Sequence, residues 1–148
     1  YMQYPIPLYY VGRLDKDSEG LLLLTNDGEL ANRISKARYG HEKEYLVRVN
    51  RPVTGQFLKR MSEGVRILDT VTRPCKVRQT GEKEFSIILT QGLNRQIRRM
   101  CEACGYYVRR LKRVRVVNIT LENLEPGQYR ELTATEVEHL KRLLRMEK

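Results

Sequence analysis

The sequence predicts an α+β domain, and three observations carry that prediction. Short runs rich in Val, Ile, Leu and Tyr alternate with amphipathic stretches of helical spacing. Glycine, proline and Asn-Asp turn signals separate them, and no internal repeat orders them. Many strands with a few helices on the sheet faces is the arrangement that buries such elements. Taken in order, Gly20 to Thr25 reads as a buried strand stopped by Asn26-Asp27-Gly28, after which Leu30, Ile34 and Ala37 give a short helical stripe. Glu44 to Asn50 alternates, with Tyr45, Val47 and Val49 on one side of a strand. Pro52-Val53-Thr54 leads into a helix that carries Phe57, Leu58 and Met61 and is closed by Gly64. Val65 to Leu68, Arg73 to Arg78 and Glu84 to Thr90 read as further strands, with Gly81 in the turn between the last two. A helix from Arg95 to Cys104 ends at Gly105, a natural C-cap. Tyr106 to Leu121 is a strand-like stretch rich in Val and Arg, Pro126-Gly127 is a turn, and Tyr129 to Leu132 is a short strand. Thr133-Ala134-Thr135-Glu136 matches a capping box and opens a C-terminal helix through Leu140, Leu143 and Leu144.

Composition narrows the class. The chain has 148 residues, about one domain by length, with 41% hydrophobic and 31% charged residues. No apolar stretch approaches the ~18 residues of a membrane span, and no secretory signal pattern is recognisable. Lys and Arg total 28 against 18 Asp and Glu, a net charge of +10. Such an excess points to a polyanion, either nucleic acid or an acidic membrane surface. Three cysteines, an odd number, suit a reducing cytoplasm. Cys101 and Cys104 form a C-x-x-C, but near the end of a helix they lack the N-terminal dipole that activates a redox thiol. A zinc site would need two more ligands, and only Cys75, His41 and His139 are scattered elsewhere. All three cysteines therefore read as core residues, and no metal is expected.

Two segments carry more than structure. The first, Gly12-Arg13-Leu14-Asp15-Lys16-Asp17-Ser18-Glu19-Gly20, is a polar loop that runs directly into a hydrophobic strand. Catalytic groups are often held on such a rigid edge, although any one residue here also suits an ordinary loop. The second is Gly92-Leu93-Asn94-Arg95-Gln96-Ile97-Arg98-Arg99-Met100. At 100° per residue, Ile97, Met100, Cys101 and Cys104 fall on one side of the helix and Arg95, Arg98 and Arg99 on the other. Three arginines near a helix N-terminus oppose the macrodipole, a cost that makes sense where an anion binds. A solvated basic face is the plain alternative.

The stretches GRLDKDSEGLLLLTNDGEL at 12–30, HEKEYLV at 41–47 and TQGLNRQIRRM at 90–100 strongly resemble the RsuA/RluB/RluE/RluF family of pseudouridine synthases. The likeness runs through most of the chain, down to LTATEVEHL near its end, and is nearest the RluF branch, which acts on large-subunit ribosomal RNA. The resemblance implies the pseudouridine synthase catalytic fold, a mixed and mostly antiparallel sheet with helices packed on its faces, over residues 1–148. It implies conversion of uridine to pseudouridine in ribosomal RNA, with the large subunit favoured over the small and transfer RNA left open. Asp15 matches the family's essential aspartate. Arg13 matches the neighbouring arginine that holds RNA backbone or extruded base, and Tyr45 the tyrosine that stacks on the base. Arg98 matches the arginine expected to pair with the aspartate, and Ile97 would line the pocket; Lys43 reads as a surface strand residue. Family members usually carry an N-terminal S4 RNA-binding domain and a lysine-proline motif before the G-R-L-D loop. Neither is present here, so the chain looks like a fragment of a longer protein.

The chemistry agrees with those roles. Breaking the C1′–N1 bond, turning the base and rejoining it through C5 gains and loses no atoms or electrons, so no cofactor is required; no phosphate- or dinucleotide-binding glycine motif is found. A carboxylate in a water-poor pocket needs a guanidinium to stay ionised, and a flipped base gains ~1–3 kcal/mol by stacking on an aromatic ring. Arg95 and Arg99 are expected to bind substrate. Arg109, Arg110, Lys112, Arg113 and Arg115 place five cations within seven residues. In a strand, Arg113 and Arg115 would share one face, opposite Val114 and Val116, and follow RNA phosphates. A charged strand edge that resists aggregation is the alternative. A non-catalytic RNA-binding or ribosome-assembly module would use the same basic charge and Tyr45, and only the Asp15 loop distinguishes the enzyme from it. A DNA-binding domain finds no helix-turn-helix or zinc-finger pattern. Nothing in the sequence demands more than a monomer.

Overall fold

The computed structural model describes residues 8–11, 14–35, 41–121, 124–126 and 128–144, without the side chains of Tyr9, Tyr10 and Ser35. Its centre is a six-stranded mixed sheet of order β10-β9-β4-β8-β7, with β2 docked beside β10 on the outer edge of β9. The strands are β2 (Glu19–Gly20), β4 (Lys43–Val49), β7 (Lys76–Gly81), β8 (Glu84–Leu89), β9 (Val108–Val116) and β10 (Ile119–Thr120). All pairs are antiparallel except β2 on β9. This agrees with the expected α+β, mostly antiparallel architecture.

Strand β4 sits in the middle because its alternation gives it two good faces. Tyr45, Val47 and Val49 point to the same side as Ile87 and Phe85 of β8, which lie directly opposite in register. Helices α2 (Gly55–Glu63) and α3 (Gln96–Ala103) cover that side. Thr54 accepts a bond from the Phe57 amide and starts α2, and Gly64 at φ 121° ends it. Phe57 then meets the Phe85 ring edge-on at 5.3 Å and the Tyr106 ring at 4.0 Å. Cys101 packs in this core, fully buried, and burial pushes its thiol up; Cys75 is likewise raised, to about 11. The cysteines are thus free and structural, as their placement suggested.

A second, smaller core forms at the other end of the sheet. It gathers Val11 of β1 (Tyr9–Val11), Leu21 just after β2, Ile34 of α1 (Gly28–Ser35), Val116 and Ile119 of the β9–β10 hairpin, Leu140 of α4 (Ala134–Leu143) and Leu144 at its end. Asp27 caps α1 through the amides of Glu29 and Leu30, and the expected capping box of Thr133 and Glu136 opens α4. Leu143, expected on the apolar stripe of α4, is 45% exposed, while Leu140 and Leu144 are buried.

Several boundaries differ from expectation for identifiable reasons. Gly20 to Thr25 is two strands in two sheets: after Gly20, at φ 117°, the chain leaves β9 and β3 (Leu23–Thr25) pairs with β1. Tyr106 to Leu121 is a hairpin, because Val117 at φ 55° turns the chain at Val117-Asn118. Val65 to Leu68 folds as β5 (Arg66–Ile67) against β6 (Thr70–Val71) around Leu68 and Asp69, both at positive φ. Tyr129 to Leu132 makes no strand pairing, and Gly81 closes β7 ahead of the Glu82-Lys83 turn. Ala37 and Gly127 lie outside the described residues.

Gly20 also has a tertiary reason. A Cβ there would lie 2.2 Å from the carbonyl oxygen of Arg113, so only glycine lets β2 approach β9. The Gly20→Ala variant is therefore expected to lose on the order of 3 kcal/mol from strain and overpacking together. A thermal scan should show its melting temperature lowered by about 10 °C.

Candidate active site

The loop 14–18 is shaped as a tight turn, in which the Ser18 amide donates to the Asp15 carbonyl at 2.9 Å. Its exit is fixed by β2. Beyond β2, the Leu21 amide donates to the Arg113 carbonyl at 2.8 Å, and Arg113 Nε donates to the Leu21 carbonyl at 2.9 Å. Asp15 thus stands on the edge of the sheet, as its position before a buried strand suggested.

Across from the turn, Leu93 and Asn94 lead into α3 through Arg95, which takes a left-handed conformation at φ 47°. This bend aims the Arg95 side chain back at the turn. Between the two segments lies a cavity of about 210 Å³ lined by Leu14, Asp15, Tyr45, Arg95, Ile97 and Leu111 among others. That is smaller than the roughly 300–1,000 Å³ of sites for drug-sized ligands, so it suits a single small ring. Tyr45 lines it from the centre of β4, half-buried, and Ile97 from the first turn of α3. Four of the residues expected at the site, Asp15, Tyr45, Arg95 and Ile97, therefore meet. Arg13 lies outside the described residues.

Arg98 takes a different partner from the one expected. Its Nη2 donates to the Asp17 carbonyl at 2.7 Å and lies 3.5 Å from Asp17 Oδ1, so it clamps the turn rather than pairing with Asp15. The helix projection set Arg98 opposite the apolar side, facing outward or into a cleft, and there the turn covers it and leaves only 11% of its side chain exposed. Its Nε is buried with no acceptor among the described residues. The guanidinium near Asp15 belongs to Arg95, at 3.9 Å, while both of its Nη atoms bond the Asp17 carboxylate at 3.0 and 2.9 Å. Those bonds hold the Asp17 carboxyl well below its usual value, at about 2. The anion that the arginine-rich helix start called for is thus, in this structure, the protein's own Asp17. Sequence reasoning passed over Asp17, although its spacing two residues after Asp15 was visible. Arg99 turns away to bond the Asn94 carbonyl and side chain.

The β9 stripe also departs from expectation. Tyr45 opposes Arg113 and Glu44 opposes Arg115, so a register shift leaves Val114 over and sends the two arginines to opposite faces. Arg113 is 2% exposed and braces Leu21, which removes it from any phosphate-binding surface. Arg115 is held by Glu42 and Glu44 at 3.1 and 2.9 Å. Arg110 bonds Glu19 at 2.6 Å. Lys43 is not the surface residue expected: its ammonium donates to the Ile34 carbonyl, and burial followed by repulsion from Arg113 pushes its pKa down. Among the described residues no group of three or more His, Cys, Asp or Glu could hold a metal ion, and no helix is long and apolar enough to cross a membrane.

Because folding lowers the Asp17 pKa, its clamp is fully present above the ordinary value of 3.8 and is lost as pH falls toward about 2. Carbon-13 titration of the carboxylates should place the Asp17 midpoint near 2, and Arg95→Gln should return it toward 3.8.

Comparison with known proteins gives the family of the chain. Residues 3–103 match the family model described as RNA pseudouridylate synthase. The chain is 51% identical over 137 residues to the dual-specificity RNA pseudouridine synthase RluF of Escherichia coli (strain K12), covering 93% of this chain and 47% of that protein. It is 40% identical to the ribosomal large subunit pseudouridine synthase B of Bacillus subtilis (strain 168), covering 94% of this chain and 59% of the relative. A chain in a crystal structure of pseudouridylate synthase superposes with a TM-score of 0.89 at 35% identity, covering 94% of this chain and 63% of that one. The chain therefore spans about half the length of the RluF relative it matches. On the family match and these identities, the chain belongs to the RNA pseudouridylate synthase family.

Proposed function

We propose that the protein isomerises a uridine of large-subunit ribosomal RNA to pseudouridine, with Asp15 as its catalytic carboxylate. The observation that carries this reading is the meeting of Asp15, Tyr45 and Ile97 around one small cavity. A binding module would gain nothing from an acidic group in that position, facing a polyanion. The similarity to the dual-specificity RNA pseudouridine synthase RluF supports RNA as the substrate, and that to the ribosomal large subunit synthase B supports the large ribosomal subunit as its source.

In this reading a uridine leaves its stack and enters the cavity, at a cost of a few kcal/mol. The Tyr45 ring offers one face for the base and Ile97 an apolar wall, which recover part of that cost. Asp15, with 39% of its side chain exposed, is open to the entering nucleoside. Its carboxylate serves the cleavage of the C1′–N1 bond, after which the base turns and C5 takes the place of N1 at the sugar. C5 loses its proton as the C1′–C5 bond forms and N1 gains one, so atoms and electrons balance and no co-reactant is required. Arg95 stands at the mouth of the cavity, where RNA phosphates and the developing charge would pass.

The test is pseudouridine mapping of ribosomal RNA from cells lacking the full-length gene. One modified site should vanish and return with the wild-type gene but not with Asp15→Asn, which keeps the side chain's shape and removes its charge. Restoration by Asp15→Asn would remove Asp15 from the chemistry, and loss of no site would favour a binding module. In the same background Tyr45→Ala is expected to weaken the reaction on flexible RNA by ~1–3 kcal/mol of lost stacking, roughly 5- to 150-fold, and Tyr45→Phe to keep most of it.

A further inference from the structure

We infer that the face of the sheet turned away from the cavity is a second RNA-binding surface, on which Lys76, Arg78 and Lys112 take phosphates of a double-helical segment other than the one carrying the target uridine. The inference rests on the proposed isomerisation of ribosomal RNA and adds a demand on the shape of that substrate.

The pairing register decides which side chains share this face. Tyr45, Val47 and Val49 of β4 point toward α2 and α3, with Leu89 and Leu111 of the cavity wall on the same side. Leu46 and Arg48 therefore point the other way. Ser86 of β8 and Lys112 of β9 flank Leu46, and Ser86 in turn faces Arg78 of β7. Glu84 and Arg110 flank Arg48, while Lys76 faces Ile88, the partner of Glu44. At about 4.8 Å per strand, the Arg78 and Lys112 backbones stand roughly 14 Å apart. Cations thus line both margins of a face whose middle holds Leu46 and Ile88.

The fold leaves this face open and its charge unbalanced. Leu46 and Ile88 are half-buried yet belong to neither core, and Lys76, Arg78, Arg48 and Arg110 are exposed. The carboxylates on the face are already taken. Glu84 lies 3.6 Å from Arg48, Glu19 accepts from Arg110 through both oxygens at 2.6 and 3.1 Å, and Glu44 accepts from Arg115 at 2.9 Å. No hydrogen bond or ion pair among the described residues engages Lys76, Arg78 or Lys112. Protection of an edge strand would account for the two cations of β7. It does not account for Lys112, because β9 is paired on both sides. A polyanion fits such positive charge. The rows carry no aromatic side chain on which an unpaired base could stack, so the surface suits the phosphates of a duplex, held by shape and not by sequence. Since the cavity opens on the other side of the same strands, one straight helix cannot touch both. Folded ribosomal RNA can present a second helix, and a short stem-loop cannot.

The test uses the full-length protein and two RNAs that share the uridine found by mapping: a short stem-loop and unmodified large-subunit ribosomal RNA. In the free protein Lys76 and Lys112 should react with an amine-acetylating reagent. Bound large-subunit RNA should protect both, and the stem-loop neither. The Lys76→Gln, Arg78→Gln, Lys112→Gln triple variant should bind the large RNA on the order of 10-fold more weakly, with the slope of log affinity against log salt reduced by about 2–3. On the stem-loop its affinity and single-turnover rate should stay within about twofold of wild type. The Lys76→Arg, Lys112→Arg variant, which keeps the charge, should bind the large RNA like wild type. Unchanged affinity of the triple variant for the large RNA would overturn the inference. An equal loss on the stem-loop would do the same, because the three cations would then act only through the general field of the protein. Lysines already unreactive in the free protein would also overturn it, by showing a protein segment seated on the face. Failure of the isomerase reading has a separate signature: neither RNA would gain pseudouridine, while the protection pattern would still report on the face.

Discussion

The site depends on the contact between Gly20 and Arg113, where a strand of only two residues joins β9 in parallel and brings the 14–18 turn against the sheet. Gly20 permits the approach because it has no Cβ, and the Leu21 and Arg113 backbones bond across it. The Arg113 side chain then returns to the Leu21 carbonyl, so one residue of β9 grips the incoming chain by both main chain and side chain. A buried guanidinium is expensive to desolvate, and its use here is to fix the position of a neighbouring backbone. The same short strand lies where the larger core gives way to the smaller one, so the turn is positioned by both.

The remaining arginines divide according to how much water they keep. Arg98 is nearly covered, bonds the Asp17 carbonyl and lies 3.5 Å from the same residue's carboxylate, which fixes the turn. Arg95 is 39% exposed and bonds a side chain that can exchange partners. Arg110 and Arg115 are matched by Glu19 and by Glu42 with Glu44. Much of the basic character of β9 is therefore spent inside the molecule. Exposed pairs of this kind add little to stability, about 0–1 kcal/mol each, so their value lies in orienting the strands and the turn.

The sequence was most informative where a pattern is local. The Thr54 and Thr133 caps, the Gly64 and Gly105 helix ends and the alternation of β4 all follow from neighbours a few residues apart. The Asp15 loop was legible because its motif is long, and Tyr45 and Ile97 through the same resemblance. What escaped was decided at a distance. The break after Gly20 depends on β9, more than 90 residues on. The register shift at Val114, which separates Arg113 from Arg115, depends on how β4 pairs with β9. Whether Arg98 reaches Asp15 or Asp17 depends on the shape of the turn, which helix periodicity does not encode. Lys43 was misread because strand alternation gives no sign of α1 packing over it.

The most direct measurement of the central claim is a structure of the full-length protein bound to the ribosomal RNA segment that carries its target uridine. The account predicts that uridine turned out of its stack, with its base against Tyr45 and Ile97 and the Asp15 carboxylate about 3–3.5 Å from a reacting atom of the nucleoside. A complex in which the uridine stays stacked in the RNA, or an extruded base occupies a different part of the surface with Asp15 facing water, would contradict it.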